Sequence, residues 1–315
     1  MILKERYLGC LLGLAVGDAL GAHCEGKSRE HCESLPSIEM IGSKSHGIAP
    51  GQWTDDTAMA LCLGQSLLDC NGFNANDQMQ KYADWKEHGY MGCNSKCIGI
   101  GKTTACSIDD WLHFGAGALD GPTNPNLAGN GSIMRLAPIP MYYFPYCNDI
   151  TKWSAMSSKT THGAFEAVSA CELLGFIMYG IFSGLSKISV LTHPYNKNYI
   201  SAGAYPNVDY DYSKLESIAN GNYISKTKDE IFGNAYVINS LEAALWCFYN
   251  TDNYTDAVTL AIRLGDDTDT TAAIVGQIAG AYYGVNEIPV KWLRMLDMKE
   301  TLVNMAELLY YKATR

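Results

Sequence analysis

Apolar residues recur at spacings of three and four along most of the chain, which is the period of an amphipathic helix. The segment 54–69 shows the pattern clearly, because Thr54 can serve as an N-cap for the apolar run after it. The same period predicts helices over 76–89, 160–180, 239–250, 269–284 and 288–313, the last broken near Lys299. Alternating patterns of useful length are scarce, and no repeat or domain boundary is visible. The sequence therefore predicts an all-α fold and one domain over residues 1–315.

The first 22 residues have two interpretations. Basic residues precede an apolar run of about eleven residues, which superficially resembles a signal peptide. However, Asp18 interrupts the run, and Gly9, Gly13, Gly17 and Gly21 fall on one helical face. Such a stripe lets another backbone approach closely, at some cost in helix propensity. A core helix is the preferred interpretation. No stretch approaches the ~20 apolar residues that span a bilayer.

The least regular segment, 186–230, is rich in Tyr, Asn and Gly. It is either an ordinary surface loop with a short helix or a substrate-facing loop whose tyrosines stack on a ring.

Charge and cysteine content restrict the function further. The formal net charge is −10 and no basic stripe is present, which argues against nucleic-acid binding. A small anion can still bind where metal ions or helix N-termini supply a local positive field. The eleven cysteines are scattered without a C-x-x-C motif, and Cys93 and Cys97 lack zinc-finger companions. Reduced, mostly buried thiols and a cytoplasmic protein are expected.

Two acidic runs stand at predicted helix starts. Asp55 and Asp56 follow Thr54, where the helix dipole and free N–H groups favour negative charge. More than two hundred residues later, a second run carries Asp266, Asp267, Thr268, Asp269 and Thr270. One run alone is equally well explained by stabilisation of a helix start. If the two starts meet, they form a set of hard oxygen donors suited to two Mg²⁺ or Mn²⁺ ions about 3.5–4 Å apart. Without cations these carboxylates would repel one another.

Other motif interpretations fit less well. The Asp-x-Asp pair of the second run resembles the haloacid-dehalogenase signature, which follows a buried strand rather than opening a helix. Paired acidic motifs also occur in prenyl-diphosphate enzymes, but the DDxxD spacing is missing. The segment "GIGKTT" (99–104) has Lys96 where a P-loop requires glycine. "AGNGSIMR" (128–135) lacks the third glycine of a dinucleotide fingerprint, although its glycines let backbone N–H groups reach a phosphate or sugar.

Five motifs in order resemble the ADP-ribosylglycohydrolase family: "LLGLAVGDALGAHCEG", "GQWTDDTAMAL", "GNGSIMRLAPIP", "TTHGAFEAV" and "LGDDTDTTAAIVGQIAGAYYG". The resemblance implies a compact, orthogonal all-α bundle with a binuclear Mg²⁺ or Mn²⁺ centre at helix N-termini. It implies as metal ligands Thr54, Asp55, Asp56, Asp267, Asp269 and Thr270. Asp266 stands where many relatives have Gly and is not counted among them.

The resemblance also implies the remaining site residues. Glu25, seven residues after Asp18, is the candidate acid/base, and Asp55 and Asp56 are catalytic through the metals. The substrate-binding residues would be Gly129, Asn130, Gly131, Ser132, Met134 and His162. Simpler roles stay open: Asp18 as a local helix end, Glu25 as a solvated loop residue, His162 as a helix N-terminal residue, and Met134 as core filling.

The implied reaction is hydrolysis of the bond from C1 of the distal ribose to a modified side chain, with arginine as the expected linkage. Serine linkages, poly(ADP-ribose) and small ADP-ribosyl compounds are alternatives. A non-catalytic ADP-ribose binder, a structural protein on this fold, and a binuclear phosphohydrolase are rival functions. The expected partner is an ADP-ribosylated protein or a small ADP-ribosyl substrate, with a monomeric enzyme and no nucleic acid or membrane partner.

Overall fold

The computed structural model describes residues 1–192 and 211–314, and within these ranges it is built from helices. Its fifteen α-helices are α1 Leu3–Gly21, α2 Arg29–Ser34, α3 Asp55–Asp69, α4 Ala75–His88, α5 Lys102–Phe114, α6 Pro138–Tyr143, α7 Cys147–Lys159, α8 Phe165–Phe182, α9 Lys187–Leu191, α10 Ser213–Ala219, α11 Val237–Tyr249, α12 Tyr254–Ile262, α13 Thr268–Tyr283, α14 Val290–Met295 and α15 Lys299–Ala313. Short 3₁₀ turns lie at Cys93–Ser95, Gly115–Ala118, Pro125–Leu127, Asn222–Ser225, Lys228–Glu230 and Val285–Glu287. Extended pairing over the described residues is limited to isolated bridges. The all-α prediction is confirmed.

Most predicted helices lie within two residues of their observed ends. The segments 54–69, 76–89, 239–250 and 269–284 correspond to α3, α4, α11 and α13. The predicted break near Lys299 falls between α14 and α15, where Met298 has a positive φ of 45°. Helices α5, α7 and α12 have no counterpart among the predicted segments. The 3.6-residue period therefore located the long amphipathic helices and missed several others.

The predicted helix 160–180 is wrong at its start. Helix α7 ends at Lys159 and α8 begins at Phe165, so that the residues between them form a turn. Gly163 occupies a tight position, because a Cβ added there would lie 2.3 Å from the carbonyl oxygen of Gly121. This close passage of another chain segment separates the two helices, and it leaves His162 in the turn.

The glycine stripe of α1 packs directly on the backbone of α13. A Cβ added at Gly9 would lie 2.0 Å from the carbonyl oxygen of Gly280, and one at Gly17 would lie 2.2 Å from that of Ala272. Gly276 faces Gly13 in the same way. The core-helix interpretation of the first segment is confirmed, and the close contact that its glycines predicted lies within the chain.

Helix α8 changes one expectation drawn from composition. It has 18 residues and a mean hydropathy of 1.5, so by length and composition alone it could span a membrane. In the fold, however, 83 % of this window is buried against other parts of the protein. Among the described residues it is the only such helix, and its burial is that of a core helix.

The segment 186–230 lies only partly within the described residues. Its described parts form α9, α10 and two 3₁₀ turns, whereas the Tyr-rich stretch over 193–210 lies outside the described ranges. The prediction of a substrate-facing tyrosine loop falls largely on that stretch. All eleven cysteines are described and free, and most are buried, as expected for reduced thiols.

Candidate metal centre and substrate cavity

The start of α3 is held by a carboxylate from another helix. Thr54 occupies the N-cap position, but its side chain makes no capping hydrogen bond to its own helix. Instead Asp18, fully buried near the end of α1, accepts hydrogen bonds from the backbone N–H groups of Thr54 (3.0 Å) and Thr57 (3.1 Å). It also accepts from both threonine hydroxyls, at 2.9 and 2.7 Å. Asp18 is therefore the capping residue of α3, and it does not serve merely as a local helix end.

The start of α13 meets the start of α3. Asp267 is the N-cap residue of α13, and its Oδ2 accepts a hydrogen bond of 2.8 Å from the Asn130 side-chain amide. Asp269, in the first turn, is 4 % exposed. Carboxylate oxygens of Asp18, Asp56 and Asp269 lie within 4.8 Å of one another. The two acidic runs are thus brought together, as the binuclear hypothesis requires.

Five aspartates at the two helix starts and the end of α1 form the carboxylate cluster: Asp18, Asp55, Asp56, Asp267 and Asp269. Burial raises the pKa of Asp55 and Asp56 well above the usual range, and the charge of Asp18 acts in the same direction. Burial and the charge of Asp267 raise the pKa of Asp269 in the same way. Buried carboxylates this close together cannot all be ionised unless positive charge is supplied.

The donor atoms present fit divalent cations. Asp56 Oδ1 is buried and has no hydrogen-bond partner among the described residues, and its other oxygen lies 3.1 Å from the Thr54 hydroxyl oxygen, which is closer to Asp18 at 2.9 Å. An ionised oxygen in that position is costly unless a cation replaces the missing donors. Carboxylate and hydroxyl oxygens are also the ligands that Mg²⁺ and Mn²⁺ prefer.

Glu25 lies at the edge of the cluster and has a partner that sequence reasoning missed. His46 Nε2 contacts Glu25 Oε2, and one ligand atom each from Glu25, His46 and Asp269 lie within 4.8 Å. Burial acts to raise the pKa of Glu25, but the hydrogen bond and charge of His46 outweigh it, so that the pKa is lowered overall. Glu25 is therefore ionised at neutral pH and is paired with His46, close to Asp269.

A cavity of about 290 Å³ opens over the carboxylate cluster. Its lining includes predicted metal ligands and predicted substrate contacts together: Glu25, Asp55, Asp267, Asp269, Thr270, Gly129, Asn130, Gly131, Met134 and His162. Thr54 and Asp56 lie behind this lining and are 1 % exposed. Ser132 is not in the lining, because its hydroxyl is hydrogen-bonded to the Ser158 hydroxyl in the core. The arrangement places the cavity between the carboxylate cluster and a glycine-rich turn.

Comparison with known proteins identifies the family of the chain. The family model described as ADP-ribosylglycohydrolase matches residues 1–315. The chain belongs to the ADP-ribosylglycohydrolase family. The resemblance carried by the five motifs is therefore confirmed.

Individual relatives of this glycohydrolase cover nearly its whole length. It is 38 % identical to the ADP-ribosylarginine hydrolase Tri1 of Serratia proteamaculans, over 98 % of this chain and 80 % of that protein. It is 28 % identical to the ADP-ribosyl-[dinitrogen reductase] glycohydrolase of Rhodospirillum rubrum, over 94 % and 91 %. A solved structure, titled ADP-ribosylglycohydrolase-related protein complex, superposes with a TM-score of 0.81 and 34 % identity, covering 99 % of both chains.

A second segment of the glycohydrolase site comes from residues 99–104. The stretch that fails as a P-loop nevertheless lines the cavity, through Gly99, Gly101, Lys102, Thr103 and Thr104. Gly99 has a positive φ of 85°, and a Cβ there would lie 2.5 Å from Asp55 Oδ1. The glycine is needed because the backbone passes directly over the carboxylate cluster, and no phosphate-loop spacing is required for that.

Asp266 takes no part in the cluster. It is exposed, has a positive φ of 66°, and pairs its backbone with Lys27. A left-handed position suits glycine best, and aspartate is among the few other residues that adopt it routinely. Its exclusion from the predicted ligands agrees with this position.

Proposed function

We propose that this glycohydrolase cleaves the N-glycosidic bond between ADP-ribose and an arginine side chain, with two divalent cations, Mg²⁺ or Mn²⁺, held by the carboxylate cluster. The observation that carries the proposal is the meeting of two acidic helix starts beneath a cavity that is also lined by the Gly129–Gly131 turn and His162. The arginine linkage is supported by the 38 % and 35 % identity to two bacterial ADP-ribosylarginine hydrolases, from Serratia proteamaculans and Pseudomonas putida.

The residues that would hold the cations are Thr54, Asp55, Asp56, Asp267, Asp269 and Thr270, with Asp18 beside them. Bound cations would supply charge compensation for the cluster and a Lewis acid for the ribose hydroxyls and a water molecule. Asp18 keeps Thr54 and the first turn of α3 in place, and Asn130 orients Asp267. The Gly129–Gly131 turn and the Gly99–Thr104 segment form the wall against which the diphosphate would lie.

Glu25 is assigned the proton transfer. Because its pKa is lowered, it is a carboxylate at neutral pH and accepts a proton from the attacking water. The water oxygen then bonds to C1 of the distal ribose as the bond from C1 to the guanidine nitrogen breaks, through an oxocarbenium-like transition state. The departing guanidine nitrogen takes up the proton that Glu25 accepted from the water, so that Glu25 returns to a carboxylate and the products are intact ADP-ribose and arginine.

The reaction class is tested by incubating the enzyme with an arginine-ADP-ribosylated protein, with Mg²⁺ or Mn²⁺ and then with a chelator. Release of intact ADP-ribose that the chelator abolishes is the expected result. Serine-linked and polymeric substrates are run in parallel, and faster release from either would reject the arginine assignment. Release of phosphate or a nucleoside monophosphate would replace the proposal by a phosphohydrolase.

The role of Glu25 is tested by Glu25→Gln with Glu30→Gln as the matched control, since Glu30 is a nearby exposed carboxylate on α2. Glu25→Gln is expected to lower kcat at least 10²-fold, the usual contribution of a positioned acid or base, while Glu30→Gln stays within about twofold. Equal kcat in the two variants would remove Glu25 from the chemistry.

A further inference from the structure

A buried arginine lies behind the cavity, next to His162. Arg135 is fully buried, and its guanidinium lies 4.5 Å from the centre of the Tyr82 ring. Its Nη1 is directed at the Met59 sulfur, at 3.6 Å. Among the described residues, no carboxylate forms an ion pair with it. A buried cation without such a partner is costly, and Arg135 has one further polar contact that offsets part of this cost.

That contact continues to the cavity wall in two steps. Arg135 Nη2 donates a 2.7 Å hydrogen bond to the Thr161 hydroxyl oxygen. The same oxygen lies 2.9 Å from His162 Nδ1. All three residues are at most 3 % exposed, and the Thr161 hydroxyl has no other hydrogen-bond partner in the described part of the chain.

The direction of these hydrogen bonds follows from the donor inventory. A guanidinium only donates, so the Thr161 oxygen is the acceptor in the first step. The single hydroxyl proton of Thr161 then has one acceptor within reach, His162 Nδ1. The opposite arrangement, with Nδ1 donating, would bury the hydroxyl proton without a partner, which proteins rarely tolerate.

We infer that Arg135 and Thr161 are positioning residues, which fix His162 as the neutral tautomer with its proton on Nε2 and direct that N–H into the cavity. Nε2 has no hydrogen-bond partner among the described residues. It faces the glycine-rich turn, since a Cβ added at Gly131 would lie 3.1 Å from it. His162 thus donates one hydrogen bond to an oxygen of the substrate, and it is neither an acid nor a base at neutral pH.

The electrostatics of the site act in the same direction. Burial, together with the neighbouring Arg135 charge, lowers the pKa of His162 to about 3. A charged imidazolium would have to donate from both nitrogens, whereas Nδ1 faces a hydroxyl whose own proton has no other acceptor. The assignment of the substrate oxygen rests on the proposed function, whereas the tautomer does not depend on it.

The test is ¹⁵N NMR of histidine-labelled protein, with His162 assigned among the seven histidines by the signal missing in His162→Asn. At pH 7 the wild type is expected to show a protonated Nε2 and an unprotonated Nδ1. Thr161→Val, which removes the hydroxyl with little change of shape, is expected to give mixed tautomers. Thr161→Ser, which keeps the hydroxyl, is expected to restore the wild-type pattern. A protonated Nδ1 in the wild type, or an unchanged pattern in Thr161→Val, would overturn the inference.

A binding measurement separates this inference from the proposed function. By calorimetry, Thr161→Val is expected to weaken ADP-ribose binding roughly tenfold, about one well-placed hydrogen bond, and Thr161→Ser is expected to restore it. Unchanged affinity in Thr161→Val alongside a mixed tautomer would overturn the donor role toward substrate. Absence of ADP-ribose binding in the wild type would count against the proposed function, while the NMR result would still decide the tautomer.

Discussion

The close contact between α1 and α13 allows a quantitative test, through Gly17→Ala in α1. The added methyl would lie 2.2 Å from the Ala272 carbonyl oxygen and 2.6 Å from its carbonyl carbon, both backbone atoms of α13. Ordinary van der Waals contact begins at 3.4 Å, so the two helices must separate locally by about 1 Å. Backbone cannot rotate away as a side chain can. The separation therefore opens the packing between the two helices that carry Asp18 and Asp269.

The expected cost follows from two opposing effects. Overpacking of this kind costs about 3 kcal/mol, at the upper end of the usual range because rigid backbone has to move. Replacing a helix-interior glycine by alanine returns about 1 kcal/mol. The net loss in unfolding free energy is about 2 kcal/mol. Metal sites tolerate ligand displacements of only about 0.2 Å, so Mn²⁺ affinity is expected to fall at least tenfold.

The assays are urea unfolding followed by circular dichroism and calorimetric Mn²⁺ titration. Gly180→Ala in α8 is the matched control, because its methyl would meet only side chains, at an ordinary 3.4 Å from Leu185 and Val190. This control is expected to be as stable as the wild type or up to about 1 kcal/mol more stable. If Gly17→Ala were as stable as Gly180→Ala and bound Mn²⁺ equally well, the close-contact explanation of the glycine stripe would be refuted.

Three further predictions concern the carboxylate cluster. Because the pKa values of its aspartates are raised in the folded state, their contribution to stability is present below about pH 4 and is lost as pH rises through the raised values. Thermal melts of chelated protein should therefore show falling stability as pH rises toward neutrality. Mn²⁺ at 100 times its Kd should restore about 2.7 kcal/mol of unfolding free energy. A melting temperature that does not change with pH would contradict the raised pKa values of the cluster. Asp18→Asn should lower the unfolding free energy in urea by about 3 kcal/mol, because an amide presents a donor to groups that now donate to Asp18. Wild-type stability in this variant would count against the role of Asp18 as the cap of α3. Asp266→Gly should keep kcat within about twofold, whereas Asp267→Asn should lower it more than tenfold; equal effects of the two would place Asp266 in the site.

The sequence predicted the residue types of the site better than it predicted the contacts that hold them in place. Adjacent aspartates at two helix starts predicted a cation site from residue type and helix period, but the sequence could not show that the two starts meet in space. Asp18 was harder to interpret, because nothing in the sequence shows that Thr54 and Thr57 donate to it from 36 and 39 positions away. Its position in an otherwise apolar helix was the available signal, since a buried carboxylate needs such partners.

Two other features depend on tertiary contacts that no local pattern reports. His46 lies in a short polar loop, and only the fold brings its ring to Glu25. The helix predicted over 160–180 has an unbroken apolar period, but the passage of Gly121 beside Gly163 interrupts it and creates the turn that holds His162. Local propensity was overridden there by packing.

The pairing of α1 with α13 also orders events in time. The hydroxyl of Thr268 bonds the carbonyl of Gly21 across 247 positions of sequence, so a ribosome finishes the second helix on the order of tens of seconds after the first. Throughout that interval the glycine face of α1 lacks the backbone that it fits, and Asp18 and Asp269 cannot share a cation. An interrupted translation product therefore carries half of the ligands and no site. Assembly of the metal centre becomes one of the last steps in making the enzyme, and activity appears only in chains whose two distant ends have met.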